Sequence, residues 1–145
     1  MRSCNDVMTM APACCLTSDP IERAARIMRD NDVGSVPVVD DTSSKHLVGI
    51  ITDRDIVIKV LADGQNRDGM TIERIMTQNP VTCSPQDDIQ NAMDRMSQHR
   101  VRRIPVVDEQ GRLQGIIAQA DLLTRVDRPQ KTEKVIERIS QPVAH

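Results

Sequence analysis

Apolar residues along this chain fall into runs of two kinds. Ile21, Ala24, Ala25 and Met28 recur at i, i+3, i+4 and i+7, the spacing of one face of an amphipathic helix. Asp19 is placed to cap that helix, Pro20 suits its first position, and Glu22 stands where a capping-box acid belongs. Ahead of it, Ala13 to Leu16 reads as a short strand. After it, Val36 to Val39 and Leu47 to Ile51 are β-branched runs that read as strands, joined by the polar stretch Asp40 to His46. Helical spacing then returns with Ile56, Val57, Val60 and Leu61, in a closing helix that starts near Thr52. The predicted order is strand, helix, strand, strand, helix.

The same order is written a second time. Val81 to Cys83 is the short strand, and Ile89, Ala92, Met93 and Met96 form the helix face. The turn Glu109-Gln110-Gly111-Arg112 is tighter than its counterpart, and a closing helix starts near Ala118 with Leu122 and Leu123. From Met8 to Asp40 the offset is a constant 68 residues, and 13 of those 33 positions are identical to their partners, so the match is a true repeat. Val36-Pro37-Val38-Val39-Asp40 stands against Ile104-Pro105-Val106-Val107-Asp108. After a two-residue shortening, Gly49-Ile50-Ile51 stands against Gly115-Ile116-Ile117. A repeated chain predicts a pseudo-twofold α/β body, with clefts between its halves that suit ligands. The expected organisation is a first repeat with its lead-in over 1–63, a linker and lead-in helix over 64–74, a second repeat over 75–126, and a C-terminal helix and tail over 127–145. In that tail, Thr132 to Ser140 reads as a helix with Val135, Ile136 and Ile139 facing inward, stopped by Pro142.

Size adds that either repeat alone is marginal, whereas 145 residues bury about 70% of their unfolded surface. The expectation is therefore one shared core. The formal charge of −2 predicts no general affinity for nucleic acid. The absence of Phe, Tyr and Trp removes aromatic stacking platforms, so a bound base would lie between aliphatic groups, prolines or arginines. No apolar run approaches the length of a membrane span, and Asn5, Asp6 and Thr9 interrupt any signal-peptide core, so the expected location is cytoplasmic. Cys4, Cys14, Cys15 and Cys83 show no C-x-x-C spacing and no partnership with His46, His99 or His145. Cys15 and Cys83 fall at equivalent repeat positions, as small buried residues on matching strands would. A thiol- or metal-based stress sensor is the other reading of the cysteines.

The ordered set Met-Thr, Pro, amphipathic helix, h-P-V-V-D, then G-h-h-T-x-x-D, present twice over roughly residues 7 to 125, resembles the cystathionine-β-synthase (CBS) domain. Two in tandem resemble a Bateman module, here with nothing else of domain size. The resemblance implies an α/β body, pairing of modules into a flat dimer, and adenosine-type ligands such as AMP, ADP, ATP or S-adenosylmethionine. Some members of the family have no known ligand.

Thr52-Asp53-Arg54-Asp55 has two readings. As a capping box, Thr52 is the N-cap and Asp55 the first-turn acid. As a ligand site, the helix N-terminus attracts phosphate and the carboxylate accepts ribose hydroxyls, the roles the resemblance gives to this Thr and this Asp. The second repeat reads Ala118-Gln119-Ala120-Asp121, which keeps the acid and loses the hydroxyl. Arg100-Val101-Arg102-Arg103 precedes Ile104-Pro105 where the first repeat has Asp32-Val33-Gly34-Ser35. This stretch is either a solvated charged face or, as the resemblance implies, a basic pair reaching phosphates held by the other repeat. Arginine suits the latter because its planar fork binds phosphate bidentately. The expected main site therefore combines Thr52, Asp55, Arg102 and Arg103, with Ile50 and Val81 lining the adenine pocket. A weaker second site combines Asp121, Ile116, Gly34 and Ala13.

No P-loop, nucleophile elbow or H-E-x-x-H helix is present, so the chain reads as a regulatory module and not an enzyme, requiring no cofactor and no metal. The expected partners are an adenosine ligand and a second copy, joined through exposed helix faces, with no membrane. The competing reading is a ligand-free interaction or structural dimer.

Overall fold

The computed structural model describes residues 2–125. The expected C-terminal helix over Thr132 to Ser140 lies outside them. The elements run α1 (Cys4–Val7), β1 (Thr9–Met10), β2 (Cys15–Leu16), α2 (Ile21–Asn31), β3 (Ser35–Val39), β4 (Leu47–Thr52), α3 (Asp53–Ile56), β5 (Thr77–Gln78), α4 (Ile89–His99), β6 (Arg103–Val107), β7 (Leu113–Ala118) and α5 (Gln119–Arg125). Helix α3 continues into a wider π-type turn over Val57–Ala62, and a 3₁₀ turn over Ile72–Arg74 precedes β5.

The chain divides into two compact units, Ala13–Pro80 and a second made of Met1–Pro12 with Val81–His145. These are not the boundaries drawn from the sequence, because each lead-in joins the sheet of the other repeat. Strand β5, which introduces the second repeat, completes the first unit's sheet, β2-β3-β4-β5. Strand β1, which introduces the first repeat, pairs with β7 in the sheet β1-β7-β6. The docking is reciprocal down to single bonds. In the first unit, the Ile21 N–H donates to Met70 O (3.2 Å) and the Ile72 N–H to Asp19 O (2.9 Å). In the second, the Ile89 N–H donates to Arg2 O (3.0 Å) and the Cys4 N–H to Asp87 O (2.8 Å).

The two hairpins repeat each other residue by residue. Ser35 pairs with Thr52 as Arg103 pairs with Ala118, and both registers slip at the same place, between Val38 and Val39 and between Val106 and Val107. Each unit has its own core, contrary to the single shared core expected from chain length. One gathers Ile21, Ala24, Met28, Val36, Val38, Ile51 and Ile72; the other gathers Val7, Met8, Ile89, Met93, Met96, Ile104 and Leu122. The docked lead-ins supply the missing apolar surface, so a repeat too small to close on itself is completed by the other's first residues.

Several local expectations change. Asp19 does not cap α2. Its carboxylate accepts the Leu16 N–H (2.9 Å) and pairs with Arg23 (3.1 Å), and Pro20 takes the N-cap position without a side-chain bond. Asp87 closes the equivalent turn from Ser84 N–H (2.9 Å), while Asp88 does cap α4. Val81 to Cys83 forms only an isolated parallel bridge, Cys83 with Val106. Ala25 is exposed where its counterpart Met93 is buried.

Candidate functional site

Strand β4 delivers Thr52 to the start of α3, where the capping box forms in full. The Asp55 N–H donates to Thr52 Oγ1 (3.0 Å), and the Thr52 N–H donates to Asp55 Oδ2 (2.9 Å). Asp55 is buried, unusual for an acid without a partner. Its partner is Lys59, one turn on, whose Nζ lies 3.1 Å from Oδ1 and also donates to Ile75 O at 2.9 Å. Thr77 Oγ1 on β5 sits 3.4 and 3.5 Å from the two carboxylate oxygens. One carboxylate thus ties together β4, α3 and the lead-in strand.

Around it in the same unit, Ile50 is half-buried and stands on β4 between Pro37 and Thr77. Ser35 is buried opposite Thr52, its hydroxyl without a hydrogen-bond partner among the described residues. The Gly34 carbonyl accepts the Asp53 N–H (2.9 Å), and a Cβ on Gly34 would stand 3.1 Å from Asp53 Oδ2. Ala13 is exposed just ahead of β2.

In the other unit the Ala118 N–H donates to Asp121 Oδ2 (2.8 Å), but no hydroxyl returns the bond. Arg103 is half-buried on β6 in the same unit. Burial lowers its pKa, and the Asp121 charge works against that fall. Arg102 is exposed, with its carbonyl accepting the Gln119 N–H (2.9 Å). Ile116 is buried between Thr9 and Pro105, and Val81 packs on this unit's core.

Of the residues expected in the main site, Thr52, Asp55 and Ile50 therefore belong to the first unit, and Arg102, Arg103 and Val81 to the second. Of the weaker set, Asp121 and Ile116 belong to the second unit, and Gly34 and Ala13 to the first. Lys59 and Thr77 were not singled out from the sequence. The i, i+4 spacing of Asp55 and Lys59 was a usable signal. Thr77 was visible only as the start of the second repeat.

All four cysteines are free, and Cys4, Cys15 and Cys83 are buried. Burial pushes the Cys15 thiol up to about 11, so it is a poor nucleophile at neutral pH. Cys83 is pushed up too, first by a hydrogen bond shared with Cys4 and then by burial. Among the described residues no three His, Cys, Asp or Glu side chains gather as a metal site, and no helix is long and apolar enough to cross a membrane.

Comparison with known proteins gives this geometry its family. The chain is 34% identical to CBS domain-containing protein YhcV of Bacillus subtilis (strain 168) over 146 residues, covering 100% of both chains. The crystal structure of Hypoxic Response Protein I with two coordinated zinc ions superposes with a TM-score of 0.77 at 33% identity, over 86% of this chain and 98% of that one. The CBS domain pair of protein MJ0100, in complex with 5′-methylthioadenosine and S-adenosyl-L-methionine, gives a TM-score of 0.74 at 31% identity, over 86% of this chain and 94% of that one. The CBS-domain profile matches residues 4–62 and again 72–128, so the chain belongs to the CBS-domain family and carries the domain as a tandem pair.

Proposed function

We propose that this protein is a non-catalytic, cytoplasmic regulatory module whose CBS pair binds an adenosine-containing nucleotide: AMP, ADP, ATP or S-adenosylmethionine. The observation that carries the reading is the buried Asp55 carboxylate, fixed at the start of α3 by the Thr52 N–H in the same unit as the half-buried Ile50, an acid oriented for ribose hydroxyls once its present partners yield. The 31%-identical MJ0100 pair, solved with two adenosine compounds, supports the ligand class. Arg102 and Arg103 would meet the phosphates, and Val81 the base. Asp121, Ile116, Gly34 and Ala13 would supply the weaker second site. The module would act as a homodimer through the helix face that leaves Val57, Ile58 and Leu61 exposed by 50%, 45% and 69%.

Calorimetric titration with adenosine and AMP tests this. Asp55→Ala weakens both ligands, Arg103→Ala weakens AMP far more than adenosine, and Asp121→Ala matters less than Asp55→Ala. Charge-assisted hydrogen bonds of about 1.5–3 kcal/mol set the loss at roughly tenfold to a hundredfold. If Asp121→Ala abolished binding and Asp55→Ala did not, the two sites would be reversed. The ligand-free interaction module has its own support, since the Asp55 oxygens already have partners within their unit. It takes over if the protein binds no adenosine compound at millimolar concentration.

A further inference from the structure

Lys59 has a carboxylate one turn on either side. Asp55, four residues before it, holds its Nζ at 3.1 Å. Asp63, four residues after it, shares with it the wall of an open cavity of ≈ 270 Å³, lined also by Gln65, Met70, Arg74 and Ile75. We propose that Lys59 is a two-position latch. It rests on Asp55 and Ile75 O when the site is empty, and swings to Asp63 in the cavity when a ribose takes Asp55. This rests on the adenosine reading above and names the residue that gates that site.

The argument is one of space around Asp55. Two vicinal hydroxyls bind a carboxylate best with one oxygen each, yet the Asp55 side chain is only 10% exposed and both oxygens already accept from neighbours that crowd its open side. Three groups hold them, and two cannot leave. The Thr52 N–H is main chain at the junction of β4 and α3. Thr77 is fixed on β5 by pairing with Ile50, and rotating its side chain only replaces the hydroxyl by a methyl. Lys59 is different. Its side chain is 42% exposed, its four-carbon stem rotates without moving the backbone, and the cavity beside it offers both room and an acid. Its departure also removes the hydrogen bond to Ile75 O, a side-chain tie between the closing helix and the lead-in of the second repeat. Occupancy of Asp55 is thereby felt at residues 75–77, which is how a ligand with differential contacts biases a two-state element.

The test uses the full-length protein and adenosine, which has a ribose and no phosphate. Lys59→Met keeps the stem and removes the competitor, so adenosine should bind about fivefold tighter, the value of one partly exposed ion pair. Asp63→Asn removes the landing place, so adenosine should bind weaker by about twofold. Asp63 is exposed and outside the core, so this second variant decides the matter if Lys59→Met does not fold. A Lys59→Met protein that binds adenosine no tighter than the parent, or an Asp63→Asn protein that binds it as well as the parent, overturns the latch and leaves the adenosine reading standing. A parent protein that binds no adenosine at millimolar concentration overturns both.

Discussion

Gly49 and Gly115 are kept as glycine by what crosses them. A Cβ on Gly115 would lie 2.6 Å from Met8 Sδ and 2.8 Å from Thr9 O; one on Gly49 would lie 2.7 Å from Met76 Sδ and 2.9 Å from Thr77 O. A methionine can yield, but a carbonyl of a paired strand yields only by moving the strand. Gly115→Ala should therefore cost roughly 1–3 kcal/mol in denaturant unfolding, the usual range for overpacking. Gly34→Ala, whose nearest neighbour is a carboxylate at 3.1 Å, should cost clearly less. Equal losses for the two would remove strand crossing as the cause. Thr52→Ala should cost about 1 kcal/mol by removing the acceptor for the Asp55 N–H, turning the first repeat's motif into that of the second. At this scale legibility followed sequence distance. Thr52 and Asp55 were readable because a capping box is local. Thr77, 22 residues from Asp55, was not, because its role depends on β5 returning to the sheet of the preceding repeat.

Helices α2 and α4 end alike, on residues in the left-handed region, Asp32 (φ 54°) and Arg100 (φ 54°). The next N–H turns back in each, Val33 to Met28 O at 3.0 Å and Val101 to Met96 O at 3.1 Å. Neither residue is the glycine this position favours. Asp32→Gly should stabilise by roughly 0.5–1 kcal/mol, the steric relief less the added freedom of the unfolded chain, seen as a higher midpoint in thermal unfolding. A lower midpoint would mean that the Asp32 side chain contributes more than its backbone conformation costs. The helices and the long hairpins were legible because their periodicity extends over many residues: β3, β4, β6 and β7 fall within a residue or two of the apolar runs. The shorter pieces were not. β2 keeps two residues of a predicted four, and Asp19 serves the preceding turn and not the helix, because an acid at that spacing reaches either set of free N–H groups. Helix α1 was missed, since four residues carry no period, although Ser3 and Asp6 form its capping box. In the closing segment the predicted stripe Ile56, Val57, Val60 and Leu61 splits: Val60 is buried, while Val57 and Leu61 stay exposed together with Ile58, which the stripe did not include.

Sequence repeat and compact unit are different divisions of this chain, and their difference governs its stability as a whole. The repeat is visible in a constant offset; the exchange of lead-ins is not, because it is a choice of partner between two nearly identical strands. β1 faces Gly115 and β5 faces Gly49 with the same Met-Thr pair, so nothing local in Met8-Thr9 or Met76-Thr77 says which sheet each joins. The exchange makes an asymmetric prediction for truncation. Residues 1–10 precede the first repeat, yet Cys4, Val7 and Met8 are buried in the core of the unit that holds the second. Their removal takes β1 from the edge of β7 and leaves the Asp87 and Pro85 carbonyls without the N–H groups of Cys4 and Asn5. It also opens a cavity beside Met93, Ile117 and Leu122, and one large side chain lost from a core commonly costs about 2–5 kcal/mol. A chain lacking residues 1–10 should therefore lose amide protection across α4, β6 and β7, while β3, β4 and α2 keep theirs, in hydrogen exchange followed by mass spectrometry. Were each lead-in to serve its own repeat, the damage would appear first in β3 and β4, and the exchange of lead-ins would have to be abandoned.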